Sequence, residues 1–173
     1  MTEHHGPHSA TFSDDRRYRY ELTRYLSAGP EGAFVMLNPS TASAFKDDPT
    51  VRRCVRFALD WGWGTLHLVN LFAIVSSDPA VLRTDPDPVG PENEHWLRYV
   101  ASICHDHVVL AWGELGSIRC RDTHVTAMLS PMTKLLCLGV TKSGRPRHPL
   151  YLPKSLMSIP YDDCSATFVR LGQ

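Results

Sequence analysis

The sequence predicts an α/β fold, a three-layer α/β/α sandwich around a central, four-stranded, mainly parallel sheet. Two observations lead to it. Short continuous apolar runs are typical of strands buried on both faces of a sheet. They alternate with stretches of helical periodicity, which indicates parallel strands with helices on both sides. The four apolar runs span residues 33–37, 66–72, 108–112 and 135–140.

An additional strand is expected before the first of these runs. In residues 17–25, Tyr18, Tyr20 and Leu22 alternate with polar residues, and this period of two favours a half-buried strand, here at an edge of the sheet. Residues 1–13 contain three histidines with Gly, Pro and Ser and have no periodicity, so we expect a disordered tail. Residues 14–173 are then expected to form a single α/β domain.

The helices are expected between the apolar runs. Asp48 is a good N-cap and Pro49 a good first helical residue, which predicts a helix starting there. Two more helices are expected, one starting near Pro91 and one over residues 121–129. The residues expected to face inward on the first two helices are Val51, Val55, Ala58, Leu59, Trp96, Leu97, Val100 and Ala101.

Composition and charge exclude several classes of protein. No apolar run approaches the ~20 residues of a membrane span, and the first residues do not resemble a signal peptide, so we expect a cytoplasmic protein. Lysine plus arginine and aspartate plus glutamate both number 18. That balance argues against a protein that coats nucleic acid nonspecifically, although a local basic patch stays open. The five cysteines are not spaced as metal ligands and are expected to be reduced thiols.

Polar side chains follow each of the four apolar runs. In open parallel sheets, ligands bind beyond the carboxyl ends of the strands, so these segments predict one site. Read singly, each segment is also ordinary turn punctuation. Asn70 is unusual inside an apolar run and implies either a ligand or a structural hydrogen bond. The segments are Asn38-Pro39-Ser40, Asn70 to Phe72, Trp112-Gly113 and Thr141 to Pro149.

Each of these residue types has a plausible chemical role. Asn38 can orient a water molecule, and Asp48 is either a helix cap or a general base. His148 can act as a cationic electrophile near neutral pH. Six cations, unless they form a solvated surface, are candidates for phosphate contacts. They are Arg52, Arg53 and Arg56 on the first helix, and Lys142, Arg145 and Arg147 in the loop before His148.

Other constellations are absent from the sequence. It has no glycine-rich phosphate loop and no Gly-x-Ser-x-Gly turn for a nucleophile. His105-Asp106-His107 is only a weak metal-binding pattern, because no third ligand accompanies it. We therefore predict no metal and no cofactor.

Several motifs together resemble a bacterial and phage family catalogued as domain of unknown function number sixteen forty-three. The resemblance covers about residues 17–155 and names no activity. The motifs are Tyr18-Arg-Tyr20, Met36-Leu-Asn-Pro-Ser-Thr-Ala42, Asp48-Pro-Thr50, Val69-Asn-Leu-Phe72, Trp112-Gly113 and Arg147-His-Pro-Leu-Tyr151.

A more distant resemblance links Asn38-Pro39-Ser40 and His148-Pro149 to the two active-site motifs of the uracil-DNA glycosylase superfamily. It implies that Asn38 positions water and that His148 stabilises the departing base. Two features depart from the superfamily pattern. The second motif lacks the serine-rich continuation, and residues 41–48 lack the usual base-stacking aromatic, for which Phe45 is a substitute.

The resulting expectation is an enzyme that hydrolyses an N-glycosidic bond in a modified base, as in DNA repair. Its partner would be nucleic acid, DNA in preference to RNA, or a nucleotide, with no membrane and no obligatory protein partner. The alternatives are a noncatalytic nucleic-acid or nucleotide-binding module and an enzyme of free modified-nucleotide metabolism. The substrate-binding candidates are Pro39, Ser40, Phe45, Asn70, Phe72, Trp112, Gly113 and Thr141.

Overall fold

The computed structural model describes residues 1–5 and 8–161 and has a mixed α/β fold. None of the helices in these two ranges is both long and apolar enough to cross a membrane. The strands are β1 Thr2–His5, β2 His8–Phe12, β3 Arg19–Tyr25, β4 Glu31–Met36, β5 Thr65–Asn70, β6 Val108–Leu110, β7 Leu135–Cys137 and β8 Ile159–Pro160. The helices are α1 Pro49–Asp60, α2 Val81–Thr84, α3 Asn93–Cys104 and α4 Arg121–Leu129, with 3₁₀ segments at Glu114–Cys120 and Pro149–Tyr151.

The eight strands of the described residues join one sheet in the order β1-β2-β3-β5-β4-β6-β7-β8. The neighbours β5, β4, β6 and β7 pair in parallel. The outer strands pair antiparallel, with Leu22 of β3 opposite Leu68 of β5. The predicted α/β class is confirmed, but the sheet is wider and more mixed than the four strands plus one that the sequence predicted.

Part of this difference lies in the amino-terminal residues, which were predicted to be disordered. The prediction is wrong for the part of 1–13 that the structure describes, because β1 and β2 pair with each other and β2 continues the sheet beside β3. Ala10 and Phe12 are buried. Strands this short have no periodicity of their own, and their stability comes from backbone pairing and from this burial.

The core lies on both faces of the sheet. Successive residues of β4 point to opposite faces, so that Phe34 packs on one side and Val35 on the other. Helix α1 covers the Phe34 side, and α3 and α4 cover the Val35 side. Leu59, expected to face inward on α1, is 48% exposed, and Phe57 is buried in its place. The buried stripe of α1 is Val51, Cys54, Phe57 and Ala58.

The strand registers align the carboxyl ends of the parallel strands at one edge. Met36 lies opposite Asn70, and Leu110 opposite Cys137. Because β3 runs the other way, its first residue reaches this same edge, where the Arg19 amide donates to the carbonyl of Ala73 at 2.9 Å. The sheet therefore brings the start of β3 to the ends of β4 and β5.

Candidate functional site

The turn after β6 holds the loop that carries His148. The amide of Gly113 donates to the carbonyl of Pro146 at 2.9 Å. A Cβ added at Gly113 would lie 3.6 Å from the Cβ of His148, so the two residues nearly touch. Gly113 has a φ of +74°, which favours glycine because other residues are strained there. Two segments that the sequence predicted to share a site are thus adjacent.

His148 caps the 3₁₀ segment that follows it. Its Nδ1 accepts the amide of Leu150 at 3.3 Å. An accepting Nδ1 carries no proton, so the proton of the neutral ring is on Nε2, which is then a donor. Burial lowers the pKa of His148 from its ordinary 6.5, and the Asp48 carboxylate partly opposes this. The sequence predicted a cationic His148 near neutral pH, and burial shifts the ring in the other direction, toward its neutral form.

Asp48 has both of its carboxylate oxygens engaged. Oδ1 accepts the amide of Val51 at 2.8 Å, which makes Asp48 the N-cap of α1. Oδ2 accepts the hydroxyl of Ser40 at 2.7 Å. The helix-cap interpretation is confirmed, and the charge of the same carboxylate raises the pKa of His148 against the effect of burial. Ser40, Asp48 and His148 therefore form one electrostatic unit.

A buried arginine completes this unit, and the sequence interpretation missed it. Arg19 is 4% exposed, and its Nη1 donates to the carbonyl of Ala42 at 2.5 Å. Burial lowers the pKa of Arg19 to about 10, while Asp48 opposes the shift. Its Nε has no hydrogen-bond partner among the described residues. The alternation in 17–25 placed it on the polar side of a strand, although its position inside the Tyr18-Arg19-Tyr20 motif was a signal.

Asn70 ends β5 beneath this edge and is 3% exposed. Its backbone carbonyl accepts the side-chain amide of Asn93 at 3.1 Å. Within the described part of the chain, its own Nδ2 has no partner. The unusual asparagine in the apolar run is therefore buried with an unsatisfied donor, a costly arrangement that a bound polar group would relieve.

Asn38 joins two loops at the site. Its Nδ2 donates to the carbonyls of Ser76 at 2.8 Å and Pro39 at 3.1 Å. Both amide hydrogens therefore point at backbone oxygens. The remaining polar atom, Oδ1, is an acceptor with which Asn38 can hold a water molecule.

The three arginines of α1 have different surroundings. Arg53 donates through Nε to the carbonyl of Pro149 at 3.4 Å and through Nη2 to that of Leu152, and its guanidinium lies over the ring of Phe57. Arg56 pairs with Asp60 at 2.8 Å. The exposed Arg52 donates to the carbonyl of Asp47 at 2.7 Å. Arg53 thus fastens α1 to the segment that His148 caps.

The cationic residues of the loop before His148 also differ in their surroundings. Arg145 pairs with Asp122 at 2.8 Å, and Lys142 and Arg147 are exposed. Thr141 donates its amide to the Arg145 carbonyl at 2.8 Å and so closes the loop. Among the six residues predicted to bind phosphates, Arg53, Arg56 and Arg145 are therefore bonded to other groups of the chain.

The remaining candidates support the site or lie apart from it. Phe72 is fully buried and Trp112 is 2% exposed, so both side chains belong to the core beneath the edge. Pro39 accepts the amide of Ser76 at 2.9 Å. Phe45 is 63% exposed and lines a separate groove.

Across residues 1–5 and 8–161, no group of three or more histidine, cysteine or acidic side chains is arranged to hold a metal ion.

Comparison with known families gives one match. The family model described as "Protein of unknown function (DUF1643)" matches residues 19–150. The chain belongs to the DUF1643 family. No curated protein and no solved structure matches it significantly. The DUF1643 match begins at Arg19 and extends past His148, so it spans every residue of the edge described above.

Proposed function

We propose that this DUF1643 protein hydrolyses the N-glycosidic bond of a nucleobase. The observation that carries the proposal is the half-buried His148, whose Nδ1 accepts the Leu150 amide and leaves Nε2 as the donor, with Asp48 acting electrostatically on the ring. When the bond between the sugar carbon and the base nitrogen breaks, the electron pair leaves with the base. A neutral donor held in place stabilises that negative charge without needing to reorganise.

The sugar carbon becomes positively charged in such a transition state, as in other glycoside cleavages. The Asp48 carboxylate supplies the opposite charge. Oδ1 of Asn38 accepts a hydrogen bond from the attacking water and orients it, and the Asp48 carboxylate is the general base. The water oxygen bonds to the sugar carbon, the water proton passes to Asp48, and the departing base takes up a proton from solvent.

The fold supports the same proposal. Four neighbouring parallel strands with helices on both faces fit the three-layer sandwich of the uracil-DNA glycosylase superfamily. The motifs Asn38-Pro39-Ser40 and His148-Pro149, which carry the resemblance to that superfamily, follow β4 and β7. A base within a duplex would have to be flipped out to reach this edge.

The test is base release by the wild-type protein and a His148→Asn variant. Substrates are oligonucleotides that contain uracil, hydroxymethyluracil or another altered base, and the corresponding free nucleosides and nucleotides. We expect His148→Asn to reduce release by about 10²-fold or more. The matched control is His124→Asn, whose histidine is 55% exposed on α4 and should keep full activity. If the wild-type protein binds these substrates and releases no base, the noncatalytic binding module replaces the enzyme.

A further inference from the structure

A second concave surface lies between β3 and α1 on the far side of the 42–48 loop. It encloses about 580 Å³ and is lined by the end of β3, the turn around Phe45 and the outer face of α1. Ser40, Asp48 and His148 do not line it. We call this surface the Phe45 groove.

The groove exposes apolar side chains that a folded protein usually buries. Phe45 is 63% exposed, and Tyr25 and Leu59 are each 48% exposed. On α1, Arg52, Val55 and Leu59 follow the spacing of one helix face, and all three line the groove. The groove therefore combines an aromatic ring, an aliphatic wall and a cation along one stripe.

The turn that carries Phe45 is held from below. The amide of Ser43 donates to the carbonyl of Lys46 at 3.0 Å, which closes the turn. Arg24, buried beneath it, donates to the carbonyl of Ser43 at 2.6 Å and to Oδ1 of Asp47 at 2.7 Å. These hydrogen bonds therefore hold in place the turn that carries the ring of Phe45.

The charge of the groove is positive. Asp47, the acidic residue among those that line it, is paired with Arg24 at 2.7 Å. Lys46 and Arg52 are exposed at its rim. An occupant with flat apolar groups and negative charges spaced along a backbone matches this surface.

We propose that the Phe45 groove binds single-stranded nucleic acid. A base stacks on the ring of Phe45, which is sequence-tolerant because every base has a π face, and Lys46 and Arg52 contact neighbouring phosphates. Binding in this groove would narrow the substrate class of the proposed function, and it rests on that function in one respect. The bound segment is the strand beside the base that is processed, so the substrate is a polynucleotide and not a free nucleotide.

The test is fluorescence anisotropy with a labelled single-stranded DNA 12-mer and its RNA counterpart. We expect Phe45→Ala to weaken binding by about 5-fold or more. The double variant Lys46→Ala/Arg52→Ala should lower the slope of log affinity against log salt by about 1.4, which corresponds to two phosphate contacts on a single strand. Tyr99→Ala is the matched control, since Tyr99 is 47% exposed on α3, against the other face of the sheet, and should leave binding unchanged. Melting temperatures confirm that each variant is folded.

A second measurement separates this proposal from the proposed function. His148→Asn should lose base release and keep oligonucleotide binding, whereas Phe45→Ala should weaken oligonucleotide binding and lower base release only where the oligonucleotide is below saturation. If binding depends on Phe45 but the wild-type protein releases no base, the groove proposal is supported and the proposed glycosidic activity is contradicted. If Phe45→Ala binds the 12-mers as tightly as the wild type does, or if the wild type binds neither, the groove proposal is wrong.

Discussion

The hydroxyl of Ser40 donates to one carboxylate oxygen of Asp48 at 2.7 Å, while the other oxygen accepts the amide of Val51 at 2.8 Å. One side chain thereby begins α1 and supplies a negative charge that acts electrostatically on His148. A substitution at position 48 affects both the helix and the site. The two effects can be separated because asparagine caps a helix about as well as aspartate does.

We expect Asp48→Asn to be more stable than Asp48→Ala by about 1 kcal/mol, since asparagine keeps the cap. Both variants remove the charge and should reduce base release by about 10²-fold. Urea unfolding measures the first effect and a base-release assay the second. A fully active Asp48→Asn protein would exclude a role for the charge.

The stability of the protein should fall as the pH is lowered through the range in which His148 titrates. Burial lowers the pKa of His148 in the folded state, so the unfolded chain takes up the proton first. The stabilisation is complete above pH 6.5, the ordinary value, decreases as the pH falls below it, and levels off below the folded-state pKa. The check is denaturant unfolding of wild type and His148→Asn between pH 5 and pH 8. Identical pH dependence in both proteins would contradict the prediction.

Asn38→Ala should lower the free energy of unfolding by about 2 kcal/mol, because it removes the hydrogen bonds to Ser76 and Pro39. Base release should fall by more than the fraction of unfolded protein explains if Oδ1 also holds the attacking water. Asn38→Asp keeps an oxygen but places a second one against carbonyl oxygens, so it should be at least as unstable. Thermal melting with parallel rate measurements decides between a structural and a combined role.

Arg53→Lys should destabilise the protein by about 1–3 kcal/mol, because an ammonium group cannot reproduce the fork that reaches both Pro149 and Leu152. It should also reduce base release, since these bonds fix the segment that His148 caps. Arg56→Lys is the control, because the exposed pair with Asp60 is expected to contribute no more than about 0.5 kcal/mol. Equal losses in the two variants would argue against a positioning role for Arg53.

Arg145 and Arg147 were predicted from sequence to act together on phosphates, and in the structure Arg145 pairs with Asp122 whereas Arg147 is exposed. Arg147→Ala should reduce the salt dependence of single-strand binding by about one phosphate contact. Arg145→Ala should leave that slope unchanged and lower stability instead, because it strands the mostly buried Asp122. Salt titrations and melting curves of both variants test whether Arg147 contributes to binding and Arg145 to stability.

The sequence predicted correctly those features that depend on residues close together in the chain. The Asp48-Pro49 pair fixed the start of α1, and the predicted helix over 121–129 matches α4. The features it missed depend on distant residues. β2 pairs with β3, the buried Arg19 donates to the carbonyl of Ala42, and Arg145 bonds to Asp122, 23 residues away. Hydrophobic periodicity indicates which face of a helix or strand is buried. It does not indicate which loop from elsewhere in the chain packs over that face.

The bond from Arg53 to Leu152 joins positions 99 residues apart. Closing so long a loop costs chain entropy that nearby contacts do not repay until the sheet between them has formed. The His148 segment is therefore expected to dock late in folding and to open first when the protein is stressed. Loss of base release would then precede any change in circular dichroism on heating, which makes the reaction itself an early reporter of unfolding.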